Sequence, residues 1–354
     1  MPETLTDVFG PDAFSTYNLS AAIQKMPHAP TTIGSLGLFR EIPVSSTLVA
    51  VEESQGVLTL VPTTARGGPG IPSHDSKRVV TPFKIPHIQL DDTIMADDVL
   101  NVRQFGGNGV APAGEIVGRK LALMRRSVDT TIEYMRHGAI QGKLLYPDNS
   151  VDSDLDIYTA FGLTNKATDE IVVDFLTGTA TTDIAGSVVP QIVDAIELVL
   201  GGTPYTGILA LCGRTFFRKL IAHAMIKNLY LQQTQQWNMA AVGRAPGDAG
   251  RMALTIGPVT FMEYYGKVGA SSGQANDGTF QMAAEGKAFP LGADIFHSYV
   301  APADTMEAAG TLGQLVYARQ WIKEGGKAMQ IEVQSNVLNL CVRPKALIHL
   351  HTSN

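Results

Sequence analysis

The sequence predicts an α+β protein in which an arm and a projecting ribbon precede a domain built on one long helix, followed by a separate α/β layer. Three observations predict it. Residues 112–141 read as one helix of about eight turns whose apolar residues form a single stripe from Val117 to Met135. Residues 188–235 read helix, strand, helix, the order of an independent α/β layer. Between strand-like runs lies TTARGGPGIPSHDSKR (63–78), a polar segment rich in Gly and Pro that is too long for a connection inside a compact domain.

Residues 1–45 are poor core material. AFSTYNLSAAIQKM suits a short helix, which Pro27 and Pro30 break because proline lacks the backbone donor and disfavours helix in the residue before it. The segment reads as an arm that needs a partner surface. STLVAVEES and GVLTLVP read as strands, as does VVTPFKIPHIQL beyond the glycine-rich tip. An isolated two-stranded ribbon is marginal in water, so this one is expected to lie on a neighbouring subunit.

Pro112 suits the first turn of the long helix. Val117, Leu121, Met124, Val128, Ile132 and Met135 repeat at helical spacing, and Arg119, Lys120, Arg125, Arg126 and Arg136 fall largely off that stripe. These cations read either as a solvated face, or as salt bridges to adjacent subunits or weak contacts with nucleic acid. KLLYPDNSVDSDLDIYTAFGL reads as a hairpin turning at 147–150. VVPQIVDAIELVLGG (188–202) is a helix ending at Gly201-Gly202, YTGILALCG a strand, and RTFFRKLIAHAMIKNLYLQQTQQ a second helix. Strands follow in 253–265 and 279–301. The tail 326–352 reads as one long strand and another, broken at Arg343-Pro344.

Composition narrows the function. The 354 residues are 45% hydrophobic and 17% charged, which excludes a disordered chain. The net charge of −6 disfavours a protein that grips nucleic acid over its whole surface. Cys212 and Cys341 sit in apolar runs and read as buried small hydrophobes of a reducing compartment. The first residues lack the basic and apolar regions of a signal peptide, and no apolar run reaches the roughly 18–20 residues of a membrane span. A soluble protein made in a cytoplasm is expected.

Catalytic patterns fail in detail. The four Gly-Lys pairs lack the preceding glycine and following Ser or Thr of a phosphate loop. Asp152, Asp154 and Asp156 alternate as in a calcium loop, but Ile157 and Leu163 stand where Gly and Glu are needed, so they read as a solvated strand face. His349 and His351 share a strand face without a third ligand. No metal, cofactor or catalytic set is expected.

Four stretches carry a family resemblance: LGLFREIPVSSTLVAVEE, TTARGGPG followed by TPFKIPHIQLDD, FPLGADIFHSYVAPAD, and SNVLNLCVRPKALIHLHT. Their order resembles the major capsid proteins of tailed phages with the Hong Kong 97-like (HK97-like) fold, and more narrowly the lambda-type major head proteins of the major capsid protein E family. Asn336-Val337 departs from the Ser-Pro type of the closing strands.

The resemblance implies an N-terminal arm (1–45) and an extended loop (46–88). It implies a peripheral domain (89–185) with a spine helix (112–141), an axial domain (186–325), and strands returning through the peripheral to the axial domain (326–354). It also implies hexamers and pentamers closing an icosahedral shell around double-stranded DNA, contacted without sequence preference, in a virion assembled in the host cytoplasm. Scaffolding and portal proteins are implied partners. Relatives stabilise the loop either by a covalent cross-link or by a decoration protein, and both stay open here. Arg66, Gly67, Gly68, Gly70, Lys77, Arg78 and Lys84 of the loop are the expected inter-subunit contacts. An encapsulin-type compartment shell and a two-domain α/β enzyme are the competing expectations.

Overall fold

A computed structural model describes residues 19–20, 23–24, 32–54, 78–95, 113–146, 154–163, 170–173, 183–226, 242–244, 252–264, 266–267, 279–280, 285–323 and 325–352. In chain order they form α1 (Thr32–Ser35), β1 (Arg40–Pro43), β2 (Leu48–Ser54), β3 (Arg78–Lys84), β4 (Ile88–Met95) and α2 (Ala113–Gln141). Then come β5 (Lys143–Leu145), β6 (Asp154–Asp156), α3 (Ile157–Ala160), β7 (Glu170–Val173), α4 (Val189–Leu200), β8 (Gly207–Cys212) and α5 (Arg214–Ala222). The remaining strands are β9 (Val242–Arg244), β10 (Met252–Ile256), β11 (Val259–Glu263), β12 (Gly266–Lys267), β13 (Thr279–Phe280), β14 (Glu285–Leu291), β15 (Phe296–Val300), β16 (Tyr317–Ile322), β17 (Ala328–Ser335), β18 (Val337–Cys341) and, after a 3-10 turn at Pro344–Ala346, β19 (Ile348–Thr352). The chain divides into two compact units that interleave along the sequence, 1–49, 84–136 and 297–340 forming one and 50–83, 137–296 and 341–354 the other.

In the first unit, all six stripe residues of α2 are buried, as their spacing predicts. Strands β16, β17 and β4 form an antiparallel sheet, with Met329 of β17 between Ile322 and Ile94. A second sheet runs β1, β15, β18, in which β1 lies parallel to β15. Every residue of β18 is buried. Ser298 donates to Asn339 Oδ1 at 2.5 Å, a hydrogen bond between two polar side chains deep in this sheet.

The second unit is built on a seven-stranded mixed sheet, order β7-β19-β14-β8-β11-β10-β9. β8 lies between β14 and β11 and is almost wholly buried, which is why it reads as an unbroken apolar run. Helix α4 buries Val189, Ile192, Ile196 and Leu200 and packs against β14 and β19. It stops at Gly201, whose φ of 58° is the left-handed cap that glycine adopts at low cost. β5 and β6 pair as the expected hairpin, whose turn at 147–150 lies outside the described residues.

Several expectations are corrected. The helix starting at Arg214 is interrupted after Ala222, where His223 is extended; 224–226 are helical again, and 227–236 lie outside the described residues. Asp154 and Asp156 lie in strand β6, as expected, and Asp156 also caps α3, accepting from the Tyr158 N–H at 2.9 Å; Asp152 lies outside the described residues. The single long tail strand is two, β17 and β18, separated at Asn336. β1, β7 and β16 had no distinct signal.

Candidate assembly surfaces

The ribbon appears at its base: β2 and β3 form a two-stranded sheet of their own. The Ile85 N–H donates to Thr47 O at 2.9 Å next to it. Phe83 turns inward against Phe161, with ring centroids 5.5 Å apart. Lys84, next in sequence, is exposed. Arg78 is the first residue of β3. Arg66, Gly67, Gly68, Gly70 and Lys77, with the expected strand GVLTLVP, lie outside the described residues.

The described part of the arm is held by its own chain, which corrects the expectation that it needs a partner to be buried. Leu19, Ile23 and Ile33 are buried. Ser20 Oγ donates to Ala318 O at 3.2 Å and accepts from Ala318 N–H at 3.1 Å, covering backbone on the edge strand β16. The buried carboxylate of Glu133 accepts from the N–H groups of Ile33 (2.8 Å) and Gly34 (3.2 Å) at the start of α1. A short-range periodicity scan misses this, since a glutamate on the polar side of a helix carries no mark of a partner a hundred residues away.

The basic residues of α2 do not form one face. Arg125 is buried, its Nε 2.9 Å from Asp129 Oδ1 and one guanidinium nitrogen 3.4 Å from Ile23 O. Arg136, three turns on along the same side, lies over the Phe39 ring at 5.6 Å. Burial lowers the Arg136 pKa from its ordinary value, while Glu133, Glu41 and Asp129 oppose that shift. Lys120 reaches Asp92 at 3.0 Å and Thr93 O at 2.8 Å. Arg119 and Arg126, seven residues apart and so on one side of the helix, are exposed, and Leu123 between them is 58% exposed. The five cations therefore divide into three used inside the chain and two presented outward.

Other apolar side chains also face solvent. Met306 is 94% and Leu198 85% exposed. A cavity of about 300 Å³ lies under the 303–314 segment, floored by Arg319 and Glu332, which pair at 2.7 Å, and by Gln334. Cys212 and Cys341 are free and buried, and burial raises both thiol pKa values, that of Cys341 to about 12. No helix among the described residues is long and apolar enough to cross a membrane.

A ribbon ahead of a long helix, a strand-rich unit around that helix, and a separate mixed α/β sheet into which the last strand returns define the Hong Kong 97-like capsid fold. A protein assigned as a prophage capsid protein in E. coli CFT073 has the same fold, with a TM-score of 0.58 at 12% identity over 96% of this chain and 99% of that one.

The sequence is narrower evidence: residues 15–352 match the family described as phage major capsid protein E, and the chain belongs to that family. It is 28% identical over 332 residues to the major capsid protein of Pseudomonas phage KPP10, covering 89% of this chain and 90% of that protein. It is 27% identical over 357 residues to the major capsid protein of Salmonella phage Felix O1, covering 95% of each. The function is that of a tailed-phage major capsid protein.

Proposed function

We propose that this chain is the repeating tile of an icosahedral phage head, assembling as hexamers and pentamers around double-stranded DNA and working without catalysis. The observation that carries this reading is the family match over 15–352, a span that takes in the arm, the ribbon, the long helix and the returning strand together. Both sequence relatives are phage proteins, which favours a genome container over a compartment for enzyme cargo. The buried thiols, with pKa values raised by burial, make poor nucleophiles, which suits a structural role.

In this reading residues 89–185 form the peripheral domain, 186–325 the axial domain around the five- and six-fold axes, and 326–354 the strands returning between them. The extended loop, with Arg66, Gly67, Gly68, Gly70, Lys77, Arg78 and Lys84, lies on a neighbouring subunit. Many modest contacts then act together, because each subunit engages several partners at once. Arg119 and Arg126 are the helix cations left for neighbours or for DNA phosphates. Lys120, Arg125 and Arg136 serve the subunit's own fold. A net charge of −6 suits a container that must not hold its genome too tightly. Scaffolding and portal proteins complete the assembly.

The test is electron microscopy of the protein purified from an expressing host, alone and with its phage's scaffold. Closed shells or capsomers are the expected result. A monodisperse monomer under both conditions would overturn the reading. Deleting 64–78 should leave a soluble folded subunit that makes no stable shells.

A further inference from the structure

We propose that Glu170, His349 and His351 form a binding site for a divalent transition metal, zinc by its donor set, that clamps the edge of the seven-stranded sheet. The last strand, β19, lies between β7 and β14. Parallel pairing sets His349 opposite Glu170, and antiparallel pairing sets His351 opposite Glu285. The two imidazoles project from alternate residues to one face, where β7, an edge strand, supplies the third ligand.

The donor atoms already cluster. Glu170 Oε1 lies 2.9 Å from His349 Nδ1 and 3.6 Å from His351 Nδ1, and one ligand atom from each residue lies within 4.8 Å of the other two. Around a tetrahedral zinc with bonds of about 2.0–2.2 Å, donors stand about 3.3–3.6 Å apart, so small side-chain rotations close the site. His351 Nδ1 is buried and has no hydrogen-bond partner among the described residues, though it lies 3.6 Å from the Glu170 carboxylate. Two imidazoles and a carboxylate with a fourth position open to water are a donor set that suits zinc among the common divalent ions.

Glu285 completes the arrangement from behind. Its Oε2 stands 3.0 Å from His349 Nε2, an ion-pair contact that a modest turn of this exposed side chain converts to an aligned hydrogen bond. A carboxylate on the far nitrogen keeps the proton there and leaves Nδ1 free for a metal. Lys287 pairs opposite His349 on β14, but two carboxylates against one ammonium keep the local balance favourable to a dication. Side-chain exposures of 23% and 33% for the histidines leave an entry path. A bound ion would cross-link residue 170 to residues 349 and 351, fixing the returning strand to the edge strand without a covalent bond.

The experiment uses the full-length protein, untagged and stripped with a chelator. Zinc is titrated by calorimetry, and Co²⁺ serves as the spectroscopic probe. One Zn²⁺ per subunit is expected, with affinity falling at least tenfold in His351→Ala and in Glu170→Gln. The intense visible bands of a tetrahedral Co²⁺ centre should vanish in both variants. Should His351→Ala fail to fold, the near-isosteric Glu170→Gln carries the same test. Absence of saturable zinc binding in the wild-type chain, or an affinity unchanged in Glu170→Gln, would overturn the assignment.

Discussion

Glu133 of the long helix holds the backbone of Ile33, accepting its N–H at 2.8 Å while the other carboxylate oxygen takes the N–H of Gly34. Two donors at the start of a short helix, unpaired within it, are thus satisfied by one buried side chain. Glu133→Ala removes both acceptors at once. It should destabilise the subunit by about 3 kcal/mol in urea unfolding, since hydrogen bonds to a charged group contribute about 1.5–3 kcal/mol each and do not add fully. A change under about 0.5 kcal/mol would show that the arm is not held this way.

The Arg125–Asp129 pair is buried on both sides, with each side chain only 8% exposed. Asp129→Ala leaves a buried guanidinium with, among the described residues, one long contact to Ile23 O, and should cost about 3–5 kcal/mol. The double variant Arg125→Met/Asp129→Leu removes both charges and should recover much of that loss, because desolvating the pair offsets most of its Coulombic gain. Equal losses in the single and double variants would assign the effect to packing alone.

Gly142 has φ of 79°, and a Cβ there would stand 2.5 Å from Cε2 of Tyr158. The ring cannot yield freely, because its hydroxyl donates to Pro344 O at 2.9 Å. Gly142→Ala should therefore cost well over the roughly 1 kcal/mol that positive φ alone imposes. Gly162→Ala, with φ of 67° and open space around it, should cost only about that much. Thermal melts of the two variants compare them directly; similar shifts would count against the clash.

His137 is 2% exposed and stacks on Tyr264 at 5.2 Å. Burial lowers its pKa to about 4, so the folded chain keeps it neutral. Between its ordinary pKa of about 6.5 and about 4, the unfolded chain takes up a proton that the folded chain refuses. Stability contributed by the neutral ring is whole above that window and declines as pH falls through it. From pH 7 to 4.5 the loss from this group should reach about 2–3 kcal/mol. His137→Phe should show a shallower loss in urea unfolding at the two pH values; parallel curves would exclude His137 as the source.

Arg119 and Arg126 are exposed, whereas Arg136 is engaged with Phe39. Reversing both exposed charges to Glu should leave subunit unfolding within about 0.5 kcal/mol of wild type, as for ordinary surface positions. Shell yield or shell salt stability should change. Shells indistinguishable from wild type across a salt series would remove these residues from the assembly contacts.

The sequence by itself determined the elements whose signal is local. The apolar stripe from Val117 to Met135 required one long helix, Gly201 required its neighbour helix to end, and the run before Cys212 required a buried strand. Those follow from periodicity and backbone sterics within one turn or one strand. Tertiary structure decided what local spacing cannot encode. It turned Arg125 and Arg136 inward while leaving Arg119 and Arg126 outside, because burial of a cation depends on whether a distant carboxylate or ring meets it. It brought Glu170 beside His349 and His351 through a strand pairing across half the chain. Helical or strand period tells which residues share a face; only the packed chain tells what that face meets.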